Sequence, residues 1–146
     1  MALFKFTENI IKGKPIDVFN FGKHKRDFTY IDDITEGLWR IINKPAKKNI
    51  NWDSNKPDPG SSNAPWRIYN IGNSKPVNLM DYIHAIENTL GKKAKINFLP
   101  LQPGDVETTY AEINDLIKDF NYQPKTDVFS GIEKFILWYK DFYKIK

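Results

Sequence analysis

The stretch Lys23-His24-Lys25-Arg26-Asp27-Phe28-Thr29-Tyr30-Ile31-Asp32-Asp33, residues 23–33, joins a basic block to a short strand and to the start of a helix. The alternating side chains of residues 26–30 predict the strand. Apolar residues then recur at helical spacing, and Asp33 with Glu36 forms a predicted capping pair at the start of this helix, which Pro45 ends. A basic turn, a strand and a helix in this order indicate a domain of the mixed α/β class.

The same kinds of pattern continue on both sides of this stretch. Helical periodicity predicts four more helices, which begin near residues 2, 79, 113 and 128, and short apolar runs predict strands over residues 16–22, 67–72 and 94–99. Residues 45–66 lack periodicity and are rich in Asn, Asp, Ser, Pro and Gly, so we expect a long loop that is functional or mobile. About five helices and several short, scattered strands predict a helical lobe that covers one side of a larger partner domain.

Length and composition limit the possible functions. The chain has 146 residues, of which 40% are hydrophobic and 14% aromatic, and this suits one domain with a core. The 22 basic and 18 acidic residues give a net charge of only +4, so nucleic acid is not an expected partner. The longest apolar run, residues 135–139, is far shorter than the roughly 20 residues of a membrane span. Because cysteine and a signal-peptide pattern are absent, disulfides are excluded and a cytoplasmic location is expected.

Three places in the chain are candidates for binding chemistry. Arg26 ends the basic block and offers paired donors to a phosphate, although a surface ion pair with Asp27 or Asp33 is an equal alternative. The run Phe19-Asn20-Phe21-Gly22 could form a platform for a flat ring, but such aromatic residues more often belong to a core. The carboxylate in Gln102-Pro103-Gly104-Asp105 could hold a pair of ribose hydroxyls, or the run could be a plain turn.

Several kinds of site lack the residues that they need. His24 and His84 have no matching carboxylate or second histidine at ligand spacing, so a metal site is not expected. The eight glycines form no G-x-G-x-x-G phosphate cradle, no Tyr is followed four positions later by Lys, and no G-x-S-x-G nucleophile elbow occurs. The chain alone therefore contains no complete catalytic constellation.

Several segments, taken in order, resemble one family. They are residues 25–33, the strand end Tyr69-Asn70-Ile71-Gly72-Asn73, the run Gln102-Pro103-Gly104-Asp105-Val106 followed by Thr109-Tyr110-Ala111, and the closing Trp138-Tyr139. This order is similar to that of the extended short-chain dehydrogenase/reductase sugar-nucleotide epimerases. The long loop, with Trp52, Asp58 and the exit Ser62-Asn63-Ala64-Pro65-Trp66-Arg67, resembles that of the UDP-glucuronate 4-epimerase subgroup. The resemblance covers the chain from its start to about Tyr143.

The resemblance implies a sugar-nucleotide-binding C-terminal lobe over residues 1–146, without the N-terminal Rossmann half that carries the NAD loop and the catalytic Tyr-x-x-x-Lys pair. This would explain why the first helix has neither an N-cap nor a leading turn. In the complete enzyme, which converts UDP-glucuronate to UDP-galacturonate, NAD is expected on the missing half, and none is expected on this chain alone. We therefore expect a truncated or split gene product that is inactive alone, with a free-standing, non-catalytic nucleotide-binding module as the alternative.

Residue roles follow from the resemblance position by position. Arg26 matches the arginine that contacts the UDP diphosphate, and Asn20 with Phe21 matches the strand end that presents backbone groups to uracil. Asp105 matches the acidic residue near the ribose and diphosphate, and Gln102 falls where galactose epimerases have a second phosphate-binding arginine. The expected partners are a UDP-sugar and a separate chain that could supply the Rossmann half, with neither nucleic acid nor membrane.

Overall fold

The computed structural model describes residues 2–145, which contain five α-helices and four short strands. The helices are α1 (Ala2–Ile11), α2 (Ile31–Ile42), α3 (Leu79–Leu90), α4 (Asn114–Phe120) and α5 (Val128–Phe142). The strands are β1 (Pro15–Val18), β2 (Lys25–Arg26), β3 (Val77–Asn78) and β4 (Lys95–Phe98). The predicted mixed α/β class with five helices is confirmed. No helix within residues 2–145 is long and apolar enough to cross a membrane.

Two separate strand pairs hold distant parts of the chain together. β1 lies parallel to β4, with Ile16 opposite Ile96 and Val18 opposite Phe98. β2 lies antiparallel to β3, with Arg26 opposite Val77. Because each sheet has only two strands, the surrounding helices supply most of the apolar surface that stabilises them.

The main core lies between α1, α3, α5 and the β1–β4 pair. Its most buried side chains are aliphatic, and they include Ile16, Val18, Ile83, Ile86 and Ile136, all at most 1% exposed. Complete burial of each such side chain contributes about 1.5–3 kcal/mol. This core fixes the end of β1, from which the candidate site begins.

A second, smaller core joins α2 to α4. Leu116 and Tyr122 are fully buried there, and Ile41, Tyr69 and Ile71 pack against them. The predicted loop 45–66 contains no helix, and its one β-bridge pairs Ser61 with Arg67 beside this core. Loop and second core are therefore neighbours.

Three sequence-based expectations about strands need correction. The predicted strand over residues 16–22 ends at Val18 and is followed by a left-handed turn at Asn20 and Phe21, and the strand over residues 26–30 is reduced to Lys25–Arg26. The strand over residues 67–72 was a wrong prediction, because only Arg67 takes part in a bridge. The alternation of Tyr69 and Ile71 arises instead from side chains that pack on the second core.

The predicted capping pair of α2 was also wrong. The helix begins at Ile31 with Tyr30 in the N-cap position, two residues before Asp33. The buried carboxylate of Asp33 instead accepts hydrogen bonds at 3.0 Å from the backbone N–H groups of Lys125 and Thr126. Asp33 therefore ties α2 to the segment that leads into α5.

Candidate functional site

The candidate site starts at a left-handed turn after β1. Asn20 and Phe21 have φ values of +51° and +48°, a region that costs a non-glycine residue roughly 1–2 kcal/mol. The Phe21 N–H donates to the carbonyl of Leu99 at 3.0 Å, and the Leu99 N–H donates to the carbonyl of Val18 at 3.0 Å. These two bonds hold the turn at the end of the β1–β4 pair. The Phe21 ring is 57% exposed, so its assignment to a core is wrong.

Arg26, at the end of β2, is fixed by three acceptors. Its Nη1 donates to the carbonyl oxygens of Lys25 at 3.1 Å and Glu107 at 3.0 Å, and its Nη2 donates to Oδ1 of Asp105 at 3.0 Å. The backbone follows the same course, because the Lys25 N–H donates to Glu107 at 2.8 Å and the Thr109 N–H donates to Lys25 at 3.1 Å. The structure thus brings together two predicted site residues, Arg26 and Asp105, that are 79 positions apart.

The alternative surface pairing of Arg26 with Asp27 or Asp33 was a wrong prediction, because both carboxylates are committed elsewhere. Asp27 Oδ2 accepts the backbone N–H groups of Ser74 at 3.0 Å and Ala111 at 2.9 Å. The backbone N–H of Asp27 donates to the Thr109 hydroxyl at 3.1 Å. Asp27 therefore positions the strands and loops around Arg26, a role that its sequence position beside the arginine did not reveal.

The close neighbour of His24 in this site was not foreseen from the sequence. Its side chain is 4% exposed, and its Nε2 lies 3.3 Å from Oδ2 of Asp105, without the alignment of a hydrogen bond. The sequence offers no carboxylate at metal-ligand spacing from His24, and the fold brings Asp105 beside it from a distant part of the chain. The carboxylate lies across the fold, so spacing along the chain gave no signal for it.

A cavity of about 340 Å³ lies against these groups. The polar side of its lining is formed by His24, Arg26, Thr109 and three carboxylates, those of Asp17, Asp27 and Asp105, and the apolar side includes Phe6, Phe19, Phe28 and Leu79. Phe19 directly precedes the Asn20–Phe21 turn, so this turn borders the cavity. Gln102 is exposed and contributes its backbone carbonyl to the Asp105 N–H at 3.1 Å, while its side chain does not line the cavity.

The chemistry that this arrangement supports is anion binding beside an apolar wall. Arg26 offers a guanidinium, whose planar donors suit phosphate oxygens. Within the described part of the chain, no group of three His, Asp or Glu side chains is arranged to hold a metal ion. Burial raises the pKa of the Tyr82 phenol, which stacks on Phe28 with ring centroids 3.9 Å apart, so this tyrosine stays neutral.

Within residues 2–145, neither strand of the parallel β1–β4 pair leads into a dinucleotide-binding turn. A dinucleotide-binding turn runs from a strand through closely spaced glycines into a helix. Here β1 leads into the Asn20–Phe21 turn, and β4 leads into the loop that contains Gln102 and Asp105. No step through NAD is therefore assigned to these residues.

Comparison with known proteins identifies the family. The family model described as GDP-mannose 4,6 dehydratase matches residues 2–135. The chain belongs to this family. Protein CapI of Staphylococcus aureus is 52% identical over 144 residues, which are 99% of this chain and 43% of that protein. A probable UDP-glucuronate 4-epimerase of Rhizobium meliloti is 38% identical over 145 residues, which are 99% of this chain and 42% of that protein.

A solved structure gives the same relationship in three dimensions. The UDP-glucuronic acid 4-epimerase of Bacillus cereus, in complex with UDP-glucuronic acid and NAD, matches with a TM-score of 0.78 and 28% identity. The match covers 98% of this chain and 40% of the enzyme. The resemblance to the C-terminal part of an extended short-chain dehydrogenase/reductase is confirmed, and the chain spans about two-fifths of the length of these relatives.

Proposed function

We propose that these residues form the UDP-sugar-binding part of a UDP-glucuronate 4-epimerase, which interconverts UDP-glucuronate and UDP-galacturonate. The observation that carries the proposal is the Arg26–Asp105 pair beside the cavity. Arg26 lies in β2 and Asp105 lies in the loop after β4, so both strand pairs of the fold position this pair. The similarity to UDP-glucuronate 4-epimerases over nearly the whole chain supports the same substrate class.

The geometry suggests how a UDP-sugar would be held. The guanidinium of Arg26 is 23% exposed, so it can exchange Asp105 for a diphosphate without moving out of its backbone contacts with Glu107. Asp105 is then free to accept a ribose hydroxyl. The exposed turn at Asn20 and Phe21 would contact the uracil. Gln102 lies in the same loop as Asp105 and is uncharged, so Arg26 supplies most of the attraction to the diphosphate.

Isothermal titration calorimetry of the 146-residue chain with UDP-glucuronic acid tests this proposal. Arg26→Ala should weaken binding at least tenfold, because a hydrogen bond to a charged group contributes about 1.5–3 kcal/mol. Lys144→Ala, which removes the same unit of charge from a side chain that is 82% exposed, is the matched control and should leave binding unchanged. Equal affinities of the wild-type chain and Arg26→Ala would contradict the proposal.

Asp105→Ala distinguishes binding of the ribose from binding of the diphosphate. If Asp105 holds the ribose, this variant should bind UDP more weakly but inorganic pyrophosphate at least as tightly as the wild type, because a negative charge beside the anion is removed. Parallel losses for both ligands would mean that Asp105 acts only by holding Arg26.

The second candidate function is a non-catalytic nucleotide-binding module, favoured by the absence of an NAD-binding turn from the described residues. The two functions differ in what an added Rossmann half does. We propose that the chain is inactive alone and that the N-terminal part of the Rhizobium meliloti relative, supplied as a separate chain, restores formation of UDP-galacturonate from UDP-glucuronate. UDP-sugar binding without restored turnover would favour the module, and tight NAD binding by the 146-residue chain would contradict both.

A further inference from the structure

His24 is a buried titratable side chain for which the proposed function has no role. Its side chain is 4% exposed, and its Nε2 has no hydrogen-bond partner among the described residues. A buried polar atom without a partner costs about 1–3 kcal/mol. Oδ2 of Asp105 lies 3.3 Å from Nε2, while Oδ1 of the same carboxylate accepts from Arg26 at 3.0 Å. The two oxygens of Asp105 therefore face two basic side chains.

The charges around His24 come from several elements. The adjoining Lys23 and Lys25 are exposed, and α1 and α3 contribute the uncharged Phe6 and Leu79 to the cavity wall. Two further acidic residues line the cavity, but both have donors of their own. Asp27 accepts backbone N–H groups, and Asp17 Oδ1 accepts from the Asn97 side chain at 2.9 Å. Asp105 is thus the carboxylate that His24 faces at close range.

His24, Arg26 and Asp105 form a trio of ionisable side chains, and the net charge of this trio depends on one proton. With a neutral imidazole, Arg26 and Asp105 cancel and the trio carries no net charge. A proton on His24 makes the trio positive, and this favours a ligand with two phosphate charges. A ligand that prefers the protonated form must draw a proton onto the protein when it binds.

We propose that His24 is a proton-dependent part of the anion site, which takes up a proton when a diphosphate ester binds and keeps Asp105 turned away from the phosphates. The protonated imidazole holds Asp105 through Nε2 and releases Arg26 for the ligand. The proposal rests on the proposed UDP-sugar binding and adds a pH dependence to it. Histidine suits this role because its ordinary titration range lies near neutral pH.

The test is calorimetry of the full chain with UDP-glucuronic acid, in which both phosphates are esterified and keep a constant charge near neutral pH. At about pH 7, titrations in buffers with different ionisation enthalpies should show uptake of a substantial fraction of one proton per ligand. Affinity should rise roughly tenfold between about pH 8 and about pH 5.5, because the positively charged form binds the anion more tightly.

Two variants localise the proton. His24→Gln keeps a neutral donor near Nε2 and should abolish both the proton uptake and the pH dependence, whereas His84→Gln, on an exposed position of α3, should preserve both. Ligand binding without proton uptake by the wild-type chain would overturn the proposal even if His24→Gln fails to fold. Unchanged uptake in folded His24→Gln would also overturn it. Absence of binding at every pH would overturn the proposed function as well.

Discussion

Replacement of Gly72 by alanine should destabilise the protein strongly, because the backbone at Gly72 lies against Ala111. A Cβ atom at position 72 would lie 2.2 Å from the Cβ of Ala111 and 3.2 Å from Oδ2 of Asp27. Ordinary contacts between carbon atoms are about 3.5–4.0 Å, so the two segments must separate by more than about 1 Å. This separation also pulls the Ala111 N–H, now 2.9 Å from Asp27, away from its acceptor.

The magnitude follows from these two effects. Overpacking costs about 1–3 kcal/mol, and loss of a hydrogen bond to a charged acceptor such as the partly buried Asp27 costs about 1.5–3 kcal/mol. We therefore expect Gly72→Ala to lower the free energy of unfolding by about 3–5 kcal/mol, measured by urea denaturation. Gly60→Ala is the matched control, since its added Cβ meets only the Asp58 carboxylate at 3.5 Å, and it should change stability by less than about 0.5 kcal/mol.

A second substitution makes the reasoning refutable. Ala111→Gly removes the atom that the new Cβ would meet and leaves the Ala111 Cα at 3.7 Å, an ordinary contact. The double variant should therefore be more stable than Gly72→Ala alone, with a coupling energy of about 2 kcal/mol in a double-mutant cycle. Additive effects of the two substitutions, or a Gly72→Ala variant as stable as Gly60→Ala, would refute the steric argument.

Two further predictions concern carboxylates that hold the backbone. Asp33→Asn should lower the free energy of unfolding by about 1–3 kcal/mol, because the buried carboxylate accepts two backbone N–H groups, one of them from Thr126. Asp32→Asn, at a side chain that is 69% exposed, should change the free energy of unfolding by less than about 0.5 kcal/mol in the same urea assay, and equal effects of the two substitutions would contradict this reasoning. Hydrogen bonds from the Ser130 side chain and backbone lower the pKa of Asp127, so Asp127 stabilises the start of α5 above its ordinary pKa of about 4, and this stabilisation disappears as the pH falls through the lowered value. Asp127→Asn should therefore be less stable than the wild type by about 0.3–1 kcal/mol at neutral pH, the size of a charge effect at an exposed helix N-terminus. In thermal melts followed by circular dichroism this difference should shrink below about pH 4, and a pH-independent difference would exclude the charge of Asp127 as the cause.

The helices were predictable from the sequence because each has one apolar face that must be buried. The repeated spacing of Leu79, Ile83 and Ile86 in α3 shows from the local sequence alone which face is buried. Gly91, with φ +65°, ends the helix as expected. The strands were less predictable. Alternation around Ile71 shows only that one side of the chain is covered, and a helix covers it as well as a strand does.

The candidate site was only partly predictable for a related reason. The basic turn and the family resemblance predict that Arg26 binds a phosphate, but the fold determines which residue pairs with an arginine. Asp27 and Asp33 were nearer along the chain, yet backbone N–H groups occupy both, and Asp105 remains for Arg26 and His24. Contacts across so long a separation leave no periodic signal in one sequence.

The pairing of distant segments has a consequence for synthesis on the ribosome. Arg26 and Asp105 are 79 residues apart, and Asp17 and its partner Asn97 across the β1–β4 pair are 80 residues apart. At a translation rate of roughly 5–20 residues per second, β4 and Asp105 are synthesised roughly 4–16 seconds after their partners β1 and Arg26. During this interval β4, the strand that pairs with β1 within residues 2–145, has not been made, and closure of so long a loop must precede the pairing. The contact between Arg26 and Asp105 therefore forms late, after β4 and the loop that follows it have been made.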